Sequence, residues 1–136
     1  MKAVFADSSY FLALVSVRDE AHLQAVEFSK STDLSILTTA WVLLEVANGL
    51  AASTRRQLAV ELIESLLNDE NVVVIPPEQE FFSEVFRLYS ERKDKDWSLT
   101  DCISFVVMKK RGLSEALTGD HHFEQAGFRS LLLQTE

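Results

Sequence analysis

The chain holds a single cysteine, Cys102, so no internal disulfide can form and a reducing, cytoplasmic setting is expected. Long hydrophobic runs are missing too. No stretch of about 18 uncharged apolar residues exists, which excludes a helical membrane span. The apolar run at Ala3-Val4-Phe5-Ala6 is too short for a signal peptide and meets Asp7 at once. Glycine (4) and proline (2) are scarce, while 47% of residues are hydrophobic, so the chain can fill a core. Its 136 residues suit one domain, 1–136, burying roughly two-thirds of its unfolded surface. Positive charge is also short: 13 Lys and Arg against 21 Asp and Glu leave a net charge of -8. That deficit argues against a non-specific nucleic-acid binder, whose affinity comes from basic residues meeting phosphate. It argues much less if several acids converge on one place and hold cations there.

Short apolar runs alternate with helical spacing along the chain. Ala3–Ala6 reads as a buried strand, ended by Asp7-Ser8-Ser9 and an apolar helix to about Val17. A helix is expected over 19–31, with Ala21, Ala25 and Phe28 on one face, then a strand at Ser35–Thr38 and helical spacing from Ala40 to Ala52. Ser53-Thr54 is expected to cap a helix with Leu58, Leu62 and Leu66 in register. Val72-Val73-Val74-Ile75 is β-branched throughout and stopped by Pro76-Pro77. Residues 78–92 read as a helix, and Ser98 opens another that runs to Lys110, with Gly112 as its stop. The last strands are expected at Ala116–Thr118 and Ser130–Leu133, with a short helix from about Asp120 between them. Apolar strands alternating with helices imply a parallel sheet between helical layers, an α/β fold. Ligands of such folds bind outside the carboxyl ends of the strands.

Four acids fall at that edge. Asp7 follows the first strand, and Asp120 follows the strand ending at Thr118. Glu45 lies about one turn into the helix after the second strand, and Asp101 in the first turn of the helix opened by Ser98. Each has a plainer reading. Asp7 and Asp120 can be helix caps, and Ser98-Leu99-Thr100-Asp101 has the spacing of a capping box. Glu45 is harder to dismiss, because Trp41, Val42, Asn48 and Gly49 offer it no cation one turn away. A carboxylate in that setting costs stability unless a partner comes from elsewhere. At an effective dielectric of about 20, two like charges about 5 Å apart repel by roughly 3 kcal/mol. As a stabilising device the cluster makes little sense. As a site for one or two hard cations, Mg²⁺ or Mn²⁺, that activate water and neutralise phosphate, it makes good sense.

The pieces Val4-Phe5-Ala6-Asp7-Ser8-Ser9, Leu44-Glu45-Val46, Trp97-Ser98-Leu99-Thr100-Asp101-Cys102 and Leu117-Thr118-Gly119-Asp120-His121-His122-Phe123 resemble, in this order, the PIN domain. The short form looks like the VapC-type toxins of bacterial toxin–antitoxin pairs. No single piece is specific; the four together are, and they span essentially the whole chain. The resemblance implies a three-layer α/β/α sandwich with a five-stranded, mainly parallel sheet and a Mg²⁺-dependent endoribonuclease site. It implies that Asp7, Glu45, Asp101 and Asp120 form the acidic quartet. Asp7 and Asp101 would be direct metal ligands, and Glu45 and Asp120 would bind directly or through water. Ser8 and Thr100 match hydroxyls that orient an acid or hold a water. RNA as substrate, a homodimer and a cognate antitoxin whose tail blocks the site are implied as well.

Other residues have simpler roles. Adjacent His121 and His122 point about 100° apart on a helix, so they are not expected to share an ion. His22 is expected to be solvated and Cys102 a small core residue. Trp41 and Trp97 could stack on bases but are expected in the core. Arg55-Arg56 and Lys109-Lys110-Arg111 could meet phosphates, though the second group also suits a helix C-terminus. Asn48 could support Glu45 by hydrogen bonding. The competing reading is a catalytically silent module of the same fold whose acids bind a basic partner peptide. A response-regulator-type phospho-acceptor is disfavoured because Pro76-Pro77-Glu78 supplies neither an Asp nor a Lys after the third strand. A haloacid-dehalogenase-like phosphatase is disfavoured because Asp7 is followed by Ser8-Ser9 rather than by a second acid.

Overall fold

The computed structural model describes residues 1–76 and 78–132, the side chain of Glu80 excepted. In chain order it forms β1 (Lys2–Ala6), α1 (Ser8–Val15), α2 (His22–Ser29), β2 (Leu34–Thr39), α3 (Ala40–Gly49) and α4 (Arg56–Leu67). Then follow β3 (Val72–Ile75), α5 (Gln79–Glu91), α6 (Leu99–Lys110), β4 (Glu115–Leu117), α7 (His121–Gln125) and β5 (Arg129–Ser130). The strands pair in the order β3-β2-β1-β4-β5, every described pair parallel, between helical layers. This is the expected three-layer α/β/α sandwich.

Burial explains the arrangement. Val4, Phe5 and Ala6 of the central strand β1 are fully buried, as are Ala116 and Leu117 of β4, so these strands are apolar on both faces. Helix α6 is buried without a break from Asp101 to Met108, which places it inside the layer rather than on its rim. It ends where Gly112, at φ 67°, takes the left-handed conformation. There Gly112 N–H bonds the Lys109 carbonyl and Leu113 N–H the Met108 carbonyl, the paired closure of a glycine-stopped helix.

The order of strands decides where a site can form. From β1 the chain moves to β2 and β3 on one side, and later returns to place β4 and β5 on the other. The direction of winding therefore reverses between β1 and β4, and a crevice opens beyond their carboxyl ends. Asp7 follows β1 and Asp120 lies just beyond β4.

Several boundaries differ from the sequence expectations. Ser53 and Thr54 do not cap α4: residues 52–55 wind into a turn, with Arg55 and Arg56 N–H both on the Ala52 carbonyl, so Arg55 takes the cap position. The buried row of that helix is Ala59, Leu62, Ile63 and Leu66, and Leu58 is exposed. Helix α2 starts at His22 because Asp19 Oδ1 first holds Ala21 N–H in a local turn. Helix α3 stops at Gly49 rather than Ala52, where Leu50 leaves helical geometry and buries its side chain. The last strand is Arg129–Ser130. Leu133, in the expected strand, and Pro77, in the expected stop, lie outside the described residues.

Candidate metal centre at the carboxyl edge of the sheet

Asp7 leaves the sheet still bonded to it, its N–H on the Leu117 carbonyl at 3.1 Å. It occupies the cap position of α1 yet makes no side-chain cap bond. Its carboxylate turns instead toward the neighbouring strand end. Oδ2 accepts from Thr118 Oγ1 at 2.9 Å and from Ser9 Oγ at 3.2 Å. Ser9 Oγ also accepts from Gly119 N–H and Thr118 Oγ1 from Asp120 N–H, so two hydroxyls stitch the 118–120 loop to Asp7. Asp7 is 5% exposed, and burial pushes its carboxyl up to about 6, against the lowering effect of Thr118.

Glu45 comes from one turn inside α3 and is half-buried. Its Oε1 accepts from Ser8 Oγ at 3.0 Å, and the Thr100 hydroxyl also favours its charged form. Burial still raises its pKa, and Asp101 and Asp120 raise it further. Asp101 takes the capping part expected of it. It closes the capping box of α6, its Oδ2 accepting from Ser98 N–H at 3.1 Å while its own N–H donates to Ser98 Oγ at 2.9 Å. The same oxygen lies 3.0 Å from His122 Nδ1. Burial raises this carboxyl too, against the Ser98 and His122 hydrogen bonds, with Asp120 adding to the rise. Asp120 caps α7, its Oδ1 accepting from His122 N–H at 2.9 Å.

Three of these carboxyls feel the charge of others in the set. Asp7 is raised partly by Asp101 and Glu45, Glu45 by Asp101 and Asp120, and Asp101 by Asp120. No Lys or Arg pairs with any of them among the described residues. Oxygen donors that are fully or partly buried and mutually repelling, with only His122 beside Asp101 and Asp120, are a donor set that suits a hard divalent ion. One atom each of Asp101, Asp120 and His122 lie within 4.8 Å of one another; Asp7 and Glu45 are not in that group. Beside them opens a groove of about 590 Å³, lined by Ser9, Asp19, Glu20, Gly119, Asp120 and His121.

Sequence reasoning missed His122, Ser9 and Thr118. Two adjacent histidines were discounted together, but His121 is exposed toward the groove while His122 turns inward to the acids. No local spacing marks it: His122 is the second residue of the helix that Asp120 caps, and its partner Asp101 lies 21 positions back. Burial of His122 works against its charge, but hydrogen bonding to Asp101 and the fields of Asp120, Asp101 and Asp96 prevail and raise its pKa. His22 is not simply solvated, since its Nδ1 donates to the Ala13 carbonyl at 2.7 Å. Asn48 is exposed and makes no described bond to Glu45. Cys102 is fully buried and its thiol pushed up to about 11 by that burial, an inert core residue as expected. Trp97 is also core: its ring meets Phe105 edge-on at 4.9 Å and its Nε1 donates to Gln125 Oε1. Trp41 is half-buried against Phe81. Lys110 pairs with Glu84 at 2.8 Å, at the C-terminal end of α6 where a cation meets the helix dipole favourably.

A sandwich of this topology with acids gathered at the switch point defines a class of protein, and the family comparison agrees. The PIN domain model matches residues 4–129, and the chain belongs to that family. It is homologous to VapC-type toxins. It is 27% identical over 131 residues to the 23S rRNA-specific endonuclease VapC20 of Mycobacterium tuberculosis, covering 92% of this chain and 95% of that one. A VapC ribonuclease of Aquifex aeolicus is 33% identical over 78 residues, a match to 56% of this chain and about half, 53%, of that relative. The crystal structure of M. tuberculosis VapC20, described as a sarcin-ricin loop cleaving toxin, superposes with a TM-score of 0.83 at 26% identity over 92% of this chain and 95% of that one. FitAcB of Neisseria gonorrhoeae, with a TM-score of 0.62 at 15% identity over 93% and 94% of the two chains, shares the fold.

Proposed function

We propose that the chain is a metal-dependent endoribonuclease, the toxin of a type II toxin–antitoxin pair, working at the carboxyl edge of its sheet. The observation that carries this reading is the group of Asp101, Asp120 and His122, close enough to share an ion, with Asp7 and Glu45 near enough for their charges to be felt and no Lys or Arg paired with any of the four acids among the described residues. Homology to VapC20 over 92% of the chain supports the reaction class. Asp7 and Asp101 would hold Mg²⁺, or Mn²⁺, directly, with Glu45 and Asp120 binding directly or through water. When bound, such an ion lowers the pKa of water and neutralises charge on phosphate.

The chain's own residues prepare that place. Ser9 and Thr118 occupy Asp7 Oδ2, leaving Oδ1 without a side-chain donor among the described residues. Ser8 and Thr100 orient Glu45. The overall negative charge suits a basic antitoxin tail that would cover the edge, and the family's habit suggests a homodimer in the cytoplasm. VapC20 is named for 23S rRNA, which makes ribosomal RNA the first substrate to offer.

The test is incubation of the purified protein with ribosomal RNA and a mixed RNA pool, in Mg²⁺ or Mn²⁺ and in EDTA, beside Asp101→Asn. The expected result is cleavage at discrete positions that needs metal and is lost in the variant. A folded protein that binds metal yet leaves all RNA intact would count against the nuclease. One that binds no metal but captures a basic peptide would make the edge a partner-docking surface instead.

A further inference from the structure

We infer that His122 is a positioning residue that clamps Asp101 and Asp120 together by one oxygen each and leaves their other oxygens free for the metal. The inference rests on the metal reading of the site given above.

Its Nδ1 lies 3.0 Å from Asp101 Oδ2 and 3.4 Å from Asp120 Oδ1. Those two oxygens already have a structural duty, since Asp101 Oδ2 accepts from Ser98 N–H to cap α6 and Asp120 Oδ1 accepts from His122 N–H to cap α7. Three donors are thus spread over one oxygen of each acid. Asp101 Oδ1 and Asp120 Oδ2 accept no hydrogen bond among the described residues. A carboxylate tied through one oxygen keeps a fixed plane and presents the other in a fixed direction, as the partners of metal-binding carboxylates commonly arrange.

The clamp adds a polar tie between α6 and α7, which already pack through their aromatic rings. Helix α7 has five residues and is anchored by Phe123, fully buried, whose ring packs 6.3 Å from Phe5 and edge-on at 5.0 Å from Phe105. His122 adds a second tie, from α7 to Asp101 in the first turn of α6. The bond forms in either charge state, because Nδ1 carries a proton in the imidazolium and in one neutral tautomer. Direct ligation through Nδ1 would have to give up the Asp101 bond.

Titrating Mn²⁺ into wild type, His122→Ala and His122→Asn, with free Mn²⁺ read by electron paramagnetic resonance and metal-free melting measured alongside, tests the clamp without an activity assay. Outer partners of this kind are worth about 10- to 100-fold in metal affinity, so that is the loss expected in His122→Ala. His122→Asn, whose amide can offer an N–H near the place of Nδ1, should recover most of it. The imidazole side chain is 30% exposed, so metal-free melting should barely move. Bound Mn²⁺ in wild type should show no directly coordinated nitrogen. Affinity in His122→Ala within about twofold of wild type overturns the clamp while leaving the metal site standing. A nitrogen coupling of direct ligation overturns it as well, by making His122 a ligand. Equal loss in both variants with lowered metal-free melting would reduce His122 to a support of the fold. Wild type that takes up no Mn²⁺ overturns both the clamp and the metal reading beneath it.

Discussion

The two ends of β1 and β4 are built on opposite electrostatic plans. At the amino end, Glu115 opens β4 between Lys2 of β1 and Arg129 of β5, bonded to both, with Arg129 Nη1 at 3.2 Å. The Lys2 contact, helped by Arg129, holds that carboxyl below its ordinary range. At the carboxyl end of the same strands, Asp7 has hydroxyls for partners, and burial lifts it to about 6. The chain can pair an acid on this sheet with cations, and does so about one strand length away. Acids that meet no Lys or Arg at the switch point, with only His122 beside two of them, mark a place where stability is given up, and the proposed divalent cation would restore the balance.

The largest effect should come from neutralising a proposed metal ligand at the carboxyl end. Asp101→Asn, or Asp7→Asn, should lower RNA cleavage by about 10³-fold, about 4 kcal/mol of barrier, in a single-turnover assay. Next is the pH dependence of the metal-free protein. Asp7 binds its proton more tightly folded than unfolded, so between about pH 4 and pH 6 the folded state holds the excess proton and stability falls as pH rises. A rise from 3.8 to about 6 amounts to about 3 kcal/mol at about 1.36 kcal/mol per pH unit. Glu45 and Asp101, also raised, act in the same sense. Urea unfolding in EDTA should accordingly show a more stable protein near pH 5 than near pH 7.5, and saturating Mg²⁺ should flatten or reverse the trend. The smallest effect belongs to the paired end. Glu115→Gln should cost at most about 1 kcal/mol, since Lys2 and Arg129 are largely exposed and screened by salt. The sign there is opposite: with its pKa lowered, Glu115 stabilises above its unfolded pKa and loses that contribution as pH falls through the folded one. Metal should not alter it.

How much of this was legible in the sequence depended on what kind of signal each feature leaves. Val72–Ile75 and the helix from Ser98 to Lys110 were read to the residue, because a β-branched run, a capping box and a stop glycine are local and agree with one another. The parallel sheet followed from apolar strands alternating with helices. Strand order did not, and with it the switch point between β1 and β4 stayed hidden, since no local pattern tells which side of β1 the fourth strand will take. The expected acids were named because strand ends and helix starts share an edge, and Glu45 stood out through its apolar neighbours. Ser9, Thr118 and His122 were out of reach for the opposite reason. Their partners lie 109 positions away for Ser9 with Thr118 and 21 for His122 with Asp101, distances over which spacing says nothing. The short α7 and two-residue β5 were blurred because single turns carry too few residues for a period to show.

If the metal reading holds, the acids at the carboxyl edge oppose folding until a divalent ion joins them. Thermal melting of wild type and Asp7→Asn near pH 7.5, each in EDTA and in saturating Mn²⁺, tests it most directly. The prediction is that Asp7→Asn melts higher than wild type in EDTA, that Mn²⁺ raises wild type by several degrees, and that it raises the variant much less. Wild type indifferent to Mn²⁺, together with an Asp7→Asn protein that melts lower in EDTA, would contradict a metal site at this edge and return the cluster to a structural role.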